Sequence, residues 1–341
     1  MKACRVVVIG AGRAGMIHAR NFARRIPGAE LAGVVDPAEA ARAAVAQELG
    51  VRCEPTLKPF LDGGADAIVL APPTRYHAEI ALQAIGSGLH ILCEKPMAAT
   101  PAECRAMTEA AESAGIVFQL GFMRRYDAGF REAAERLAAG EIGRAVSIRS
   151  LTYGPSEPKA WMYDVAASNG PLGEVNSHDV DTLHWLAGSR VTEVYAVAGN
   201  FRCEAARASH PDFYDTVTMT VRFENGMQGL VQGAQGVGYG YDARCEILGE
   251  RGLLRVGALP ETSVRVATTA GCSHRIVKSW GHLFREAYAE EDRDFIACIR
   301  ERRLPRVGAR DGWEALRVVL AGNRSIRERR PVRMDEIEEA P

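Results

Sequence analysis

Over the first 120 residues, short apolar runs alternate with amphipathic, alanine-rich stretches. The runs at 5–10, 31–36, 67–71, 89–93 and 116–120 predict buried strands, and the stretches at 14–25, 38–49, 77–87 and 101–114 carry helical periodicity. Strand–helix–strand alternation with connections this short implies a parallel sheet covered on both faces. The pattern changes after about residue 122. A helix over 127–139 leads through Gly140-Glu141-Ile142-Gly143 to a strand over 145–151, and a second helix is predicted over 175–186. Alternating strands follow at 191–200, 213–223, 227–235, 243–248 and 253–256, separated by turns such as Glu224-Asn225-Gly226. That reads as a mostly antiparallel sheet packed on helices. Helices over 283–301 and 311–327 close the chain. The change of pattern divides the 341 residues into two domains, 1–122 and 123–341, a count that suits the length.

Composition narrows the classes of partner. The chain is 47% hydrophobic and 25% charged, ordinary for a soluble globular protein. Forty-two basic residues against 43 acidic give a net charge of -1, so no nucleic acid is expected as a partner. No apolar run approaches the roughly 20 residues of a membrane span, so no membrane partner is expected either. Lys2 and Arg5 precede Val6-Val7-Val8-Ile9 in the manner of a short export signal, but Gly10, Gly12, Arg13 and Gly15 interrupt the run too early for one. Eight scattered cysteines without a C-x-x-C pair read as reduced, mostly buried thiols, and the expected location is the cytoplasm. Only five of the 42 basic residues are lysines, which makes each lysine informative by itself. The arginine bias, with abundant alanine, suggests a GC-rich coding genome.

The first strand ends in Gly10-Ala11-Gly12-Arg13-Ala14-Gly15, a G-x-G-x-x-G turn that opens a helix. Gly10 permits the tight turn, Gly12 lets the backbone approach a pyrophosphate, and Gly15 allows close helix–strand packing. The helix N-terminus then offers N–H donors and a positive dipole end to phosphates. Asp36 closes the second strand, 21 residues after Gly15. Its carboxylate can accept hydrogen bonds from the adenosine ribose hydroxyls and repels a 2′-phosphate, which favours NAD over NADP, although Arg13 could neutralise a phosphate. Ala71-Pro72-Pro73-Thr74 follows the third major strand, at an edge that faces the cofactor crevice in doubly wound sheets. His77, three residues on, opens the next helix, where a packing role competes with a part in cofactor binding.

Candidate chemistry lies in two clusters. Cys93-Glu94-Lys95-Pro96 ends the strand that begins at Leu89, which puts Lys95 on the same rim as the glycine turn. A cis Pro96 would aim the lysine into the crevice, where it could hold a substrate oxygen as hydride leaves. In the stretch 169–181, Glu174, His178 and Asp181 stand at i, i+4 and i+7, on one face of a continuous helix. Histidine is suited to removing a hydroxyl proton near neutral pH, and a nearby carboxylate can orient it. The competing readings are a capping acid on a polar helix face, and a metal site of Glu174, His178 and His184. With no cysteine ligand near, no metal is expected.

Gly10-x-Gly12-x-x-Gly15, Glu94-Lys95-Pro96, 121–127 (GFMRRYD), His178-Asp179-x-Asp181 and 239–242 (YGYD) occur in an order that resembles the glucose–fructose oxidoreductase/inositol dehydrogenase (Gfo/Idh/MocA) family. The resemblance runs from about residue 3 to about 333 and is closest to the inositol dehydrogenase branch. It implies an α/β fold with an N-terminal Rossmann dinucleotide-binding domain. A C-terminal α+β domain would follow, carrying a large, mostly antiparallel open sheet that often joins copies as a homodimer or homotetramer. It puts the catalytic lysine on Lys95 and the catalytic histidine on His178. The family's aspartate falls on Glu174, a departure, because glutamate is one methylene longer. Met123, Asp181 and Tyr241 would lie near a polyol. Arg124 and Trp161 join them from their places on presumed pocket loops.

The function expected is NAD-dependent oxidation of a secondary hydroxyl of a sugar, cyclitol or amino sugar, with an aminoglycoside-type ring as one case. His178 would serve as base and Lys95 would hold the oxygen. A glycosidase that uses transient oxidation is the alternative. An NAD-sensing regulator has no need of a proton-transfer pair.

Overall fold

The computed structural model describes residues 2–257 and 259–337, and the chain forms two compact units. The first contains β1 (Cys4–Ile9), α1 (Arg13–Arg24), β2 (Ala29–Val35), α2 (Glu39–Leu49), β3 (Cys53–Glu54), α3 (Lys58–Leu61), β4 (Ala67–Leu70), α4 (His77–Gly86), β5 (His90–Glu94), α5 (Pro101–Ala114) and β6 (Phe118–Gly121). The six strands pair in parallel in the order β3-β2-β1-β4-β5-β6. This is the Rossmann order, and its direction of growth reverses between β1 and β4, where such sheets open a crevice at the carboxyl ends of the strands. Local signals set the helix ends. Thr100 and Glu103 form a reciprocal capping box at the start of α5, and Gly115 ends that helix in the left-handed region at φ 63°.

The second unit begins with α6 (Ala128–Ala138), whose N-cap Asp127 accepts from the N–H groups of Gly129 and Phe130. It continues through β7 (Ala145–Gly154), α7 (Val165–Ser168), α8 (Gly170–Glu174), α9 (Ser177–Ala187), β8 (Val191–Gly199), α10 (Glu204–Arg207), β9 (Thr216–Phe223), β10 (Gln228–Gln235), β11 (Asp242–Gly249), β12 (Leu253–Val256), β13 (Pro260–Thr268), β14 (Gly271–Ile276) and α11 (Trp280–Leu283). Then come α12 (Arg285–Glu301), α13 (Ala309–Glu328) and β15 (Val332–Arg333). The seven-stranded sheet runs β12-β11-β7-β10-β9-β8-β15, antiparallel except for the parallel pair β7–β10. Along β9 the side chains alternate strictly: Val217, Met219, Val221 and Phe223 are buried, while Thr220 and Arg222 are exposed. One face therefore packs, and the other, with Tyr195 and Val197, stays open.

The sequence reading holds for fold class and for most elements. The boundary after residue 122 differs from the division of the compact units, because residues 123–126 and 286–314 pack with the first unit. The cause lies in α12: Phe295, Ile296 and Cys298 join Val6, Val8, Val34, Val69, Leu92 and Phe22 in one core. Each such buried aliphatic or aromatic side chain contributes about 1.5–3 kcal/mol. The hairpin β13–β14 was not expected, since residues 262–275 are exposed on both faces and carry no alternating pattern. The strand expected from residue 213 begins at Thr216, and just before it the buried Asp215 side chain accepts from the N–H groups of Phe201, Arg202 and Cys203. Replacing Thr100 with Ala removes the α5 cap and should cost about 1 kcal/mol, read as a drop in Tm of roughly 2–4 °C.

Candidate active site

Each unit carries some of the candidate residues. In the first, the chain turns sharply after β1. Gly10 adopts φ 93°, and a side-chain carbon there would stand 2.6 Å from the Ala71 carbonyl oxygen. A carbon on Gly15 would stand 1.8 Å from the Gly10 carbonyl oxygen, so α1 can leave the strand this steeply only with glycine at that place. At Gly12 nothing lies within 4 Å of that position, which leaves the backbone open to a large anion. Gly12 caps α1 without a side-chain hydrogen bond, and no acid stands in the first turn with Arg13 and Ala14. Asp36, just past β2, accepts from the N–H of Ala11 at 2.8 Å and of Ala38 at 2.9 Å, which ties its carboxylate to the glycine turn. The residues fit a dinucleotide: donors for the pyrophosphate, open backbone at Gly12, and an acid for the ribose.

The neighbouring strand ends complete the rim. Ala71, Pro72 and Thr74 follow β4, and the Pro72 carbonyl lies 2.9 Å from Nε2 of His77. The other ring nitrogen of His77 lies 3.2 Å from the Met97 carbonyl and 3.6 Å from the Cys93 thiol. Burial pushes this imidazole below its ordinary pKa, against the pull of those carbonyls, so it is neutral. His77 is 1% exposed and clasps the Pro72 turn to the loop after β5. Glu94 ends β5 and Lys95 follows on the same edge, with a cis bond to Pro96. Met123 and Arg124 lie in the turn after β6 and are buried.

Beneath this rim is a group that sequence reasoning missed. His18 of α1, fully buried, lies with Nδ1 2.6 Å from Oδ1 of Asp292 and Nε2 3.2 Å from Oε1 of Glu94. Burial would lower the imidazole's pKa, but the two carboxylates outweigh it and hold it well above the usual histidine value. Its only signal in the sequence was a histidine on the apolar face of α1, three residues after Gly15.

In the second unit the expected single helix is two. Glu174 ends α8, the chain leaves the helix at Val175 and Asn176, and α9 restarts at Ser177. The expected i, i+4, i+7 face is thus corrected: His178 and Asp181 share α9 at i, i+3, while Glu174 stands on the preceding helix. His178 and Asp181 are both buried. Asp179 anchors this turn. Its carboxylate, fully buried, accepts from Ser150 at 2.6 Å, Thr152 at 2.7 Å and Asn176 at 2.8 Å. Asn176 also donates to the Gln232 carbonyl, close above Gly233, where a side-chain carbon would stand 1.9 Å from its Oδ1. Tyr241 is buried just before β11, edge-on to Phe284, and Trp161 is half-exposed in a short turn. His184 lies edge-on to Phe223, and among the described residues no group of three or more His, Cys, Asp or Glu is arranged to hold a metal ion.

A Rossmann sheet with a complete glycine turn and a ribose acid, joined to an open-sheet α+β unit, defines a nicotinamide-dependent oxidoreductase. Residues 4–122 match the oxidoreductase family with an NAD-binding Rossmann fold, and residues 130–255 match the GFO/IDH/MocA C-terminal domain. The chain belongs to the GFO/IDH/MocA family and is an NAD-dependent oxidoreductase acting on CH–OH groups. It is 31% identical over 333 residues to the scyllo-inositol 2-dehydrogenase (NAD(+)) of Bacillus subtilis (strain 168), covering 97% of this chain and 96% of that one. It is 29% identical over 338 residues to the myo-inositol 2-dehydrogenase of Thermotoga maritima, covering 98% and 99%. The crystal structure of a probable dehydrogenase from Thermotoga maritima matches with a TM-score of 0.92 at 28% identity, over 98% of this chain and 99% of that one.

Asp36→Ser should narrow or reverse the preference for NAD, measured as the ratio of kcat/KM with NAD and NADP; an unchanged ratio would remove Asp36 from the ribose site. Asp179→Ala removes the buried acceptor shared by two hydroxyls and an amide, and each hydrogen bond to a charged group contributes about 1.5–3 kcal/mol. A loss of about 3 kcal/mol or more in urea unfolding is expected.

Proposed function

We propose that the protein is an NAD-dependent dehydrogenase of a polyhydroxylated ring, oxidising one secondary hydroxyl of an inositol or a related cyclitol or amino sugar to a ketone. What supports this reading is a lysine and a histidine, one in each unit, both suited to handling a proton. Lys95 follows β5 on the glycine-turn edge, and His178 opens α9, which Asp179 pins to β7. The names of the relatives, scyllo-inositol and myo-inositol 2-dehydrogenase, support the ring class.

When bound, NAD supplies the hydride acceptor at its nicotinamide ring. Gly12, Arg13 and Ala14 would hold its pyrophosphate on the turn that Gly10 and Gly15 shape, Asp36 would hold its ribose, and Ala71, Pro72, Thr74 and Glu94 would line the rim beside it. His178 removes the hydroxyl proton at its imidazole, and Lys95 donates a hydrogen bond from Nζ to the same oxygen as negative charge grows there. Glu174 orients the imidazole from the end of α8. Asp181, Tyr241, Met123, Arg124 and Trp161 contact the ring, with Trp161 stacking on its apolar face. The open sheet face with Tyr195 and Val197 joins copies of the chain as a dimer or tetramer. Eight cysteines free of disulfides suit a reducing cytoplasm.

The test is NADH formation at neutral pH against inositols, free sugars and amino sugars. Turnover on one ring class is expected; glycoside cleavage without net NADH would favour the glycosidase instead. His178→Ala and Lys95→Ala should each lower kcat by roughly 10²–10⁴ while NAD binding, followed by NADH fluorescence, is kept. Near-normal turnover in both variants would overturn the assignment.

A further inference from the structure

The His18 cluster shares only Glu94 with the machinery described above, and it is too costly to be incidental. Three carboxyl groups (Glu94, Glu291 and Asp292) and one imidazole are buried together within the first unit, and two of the carboxyls bracket the imidazole. Taking charges out of water costs several kcal/mol each unless they are paired and hydrogen-bonded. Here the pairing is specific. Asn21, on the helix that carries His18, donates to the second oxygen of Asp292 at 2.7 Å. Tyr288, one helical turn before Asp292, sets its ring edge-on to the imidazole, with centroids 5.4 Å apart. Glu94 turns its remaining oxygen back to the N–H of Lys95 at 3.1 Å. Gly121 on β6 makes room for this, since a side-chain carbon there would stand 3.2 Å from that same oxygen.

We propose that His18 is a positioning residue: bridging Asp292 and Glu94 as an imidazolium, it holds the Glu94 carboxyl in place as the acceptor for the Lys95 backbone and so fixes the strand end that aims Lys95. The bridge also ties α1, which bears the phosphate-binding turn, to β5, which bears the lysine, so the cofactor and proton-handling parts of the first unit share one buried joint. The inference rests on the proposed catalytic role of Lys95.

The charges around the joint set its pH behaviour. Glu94 faces His18 from β5, and Asp292, Glu291 and Tyr288 lie on α12, with Asp294 and Tyr126 behind Glu291. Neither carboxyl oxygen of Glu291 has a hydrogen-bond partner among the described residues. Burial, and then the charge of Glu94, push its pKa well up, so Glu291 is a neutral acid. Asp292 is also raised by burial, but His18 and Asn21 counter this and it stays the ionised partner. Without the imidazolium, Asp292 loses the charge that counters its burial, and its carboxyl is pushed further up. Glu94 loses the partner of its Oε1, and the strand end whose N–H its other oxygen holds is no longer fixed.

The experiment pairs a spectroscopic reading with a kinetic one on the full-length protein. In ¹⁵N spectra of histidine-labelled protein, one imidazole should keep both ring nitrogens protonated at pH values where an ordinary histidine near pKa 6.5 is neutral. That signal should be missing from His18→Gln. In the same variant the acid limb of kcat/KM should move up by about one pH unit or more. At pH 7 kcat should fall roughly 10- to 100-fold, as for a misplaced catalytic group. Glu291→Gln, which replaces a neutral acid with a neutral amide, should leave the profile unchanged. A neutral His18 at pH 7, or a His18→Gln enzyme with lowered Tm and an unmoved pH profile, would overturn the inference. The spectra need no substrate, so absence of polyol turnover in the unaltered protein would count against the proposed function alone.

Discussion

The steric closeness of the β1–α1 turn is the constraint on which the first unit depends. The helix leaves the strand so steeply that Gly15 can carry no side chain beneath the Gly10 carbonyl, and Gly10 itself holds a left-handed backbone against Ala71. The N-terminal end of α1 is thereby brought to the carboxyl edge of the sheet. Asp36 bonds to the same turn through the Ala11 N–H, and the parallel register puts the ends of β4 and β5 on that edge too. A bulkier residue at either glycine would displace the phosphate-binding end of the helix and the buried His18 one turn further along it.

Both units hold their chemistry in place with buried charge rather than with apolar packing alone. Asp179 accepts from three neutral donors of two elements. His18 is satisfied by two carboxylates from two elements. Such groups contribute little net stability against an apolar substitute, because desolvation offsets most of the attraction. What they supply is geometry: each accepts only one arrangement of its partners.

Much of this was legible in the residues. The alternation of apolar runs and helical stretches yielded the parallel sheet, and the G-x-G-x-x-G turn with Asp36 yielded the cofactor edge, because both rest on local spacing. What was not legible depends on tertiary contact. The break between α8 and α9 follows from the inward turn of Asn176 and Asp179 toward β7 and β10, which no helical periodicity records. Residues 286–314 belong with the first unit because Phe295 and Ile296 complete its core, a pairing across nearly three hundred positions. His18 looked like one polar residue in an amphipathic helix, since its partners come from β5 and α12. The hairpin β13–β14 escaped because both its faces are exposed, so the alternation that marks a half-buried strand is absent.

The central claim is that this chain takes hydride directly from a ring carbon onto its bound nicotinamide. The most direct measurement is label transfer from scyllo-inositol deuterated at every ring carbon, with the NADH product analysed by mass spectrometry and proton NMR. The account predicts one deuterium per NADH formed, on a single face of the nicotinamide C4. Formation of unlabelled NADH, or label on both faces equally, would contradict it.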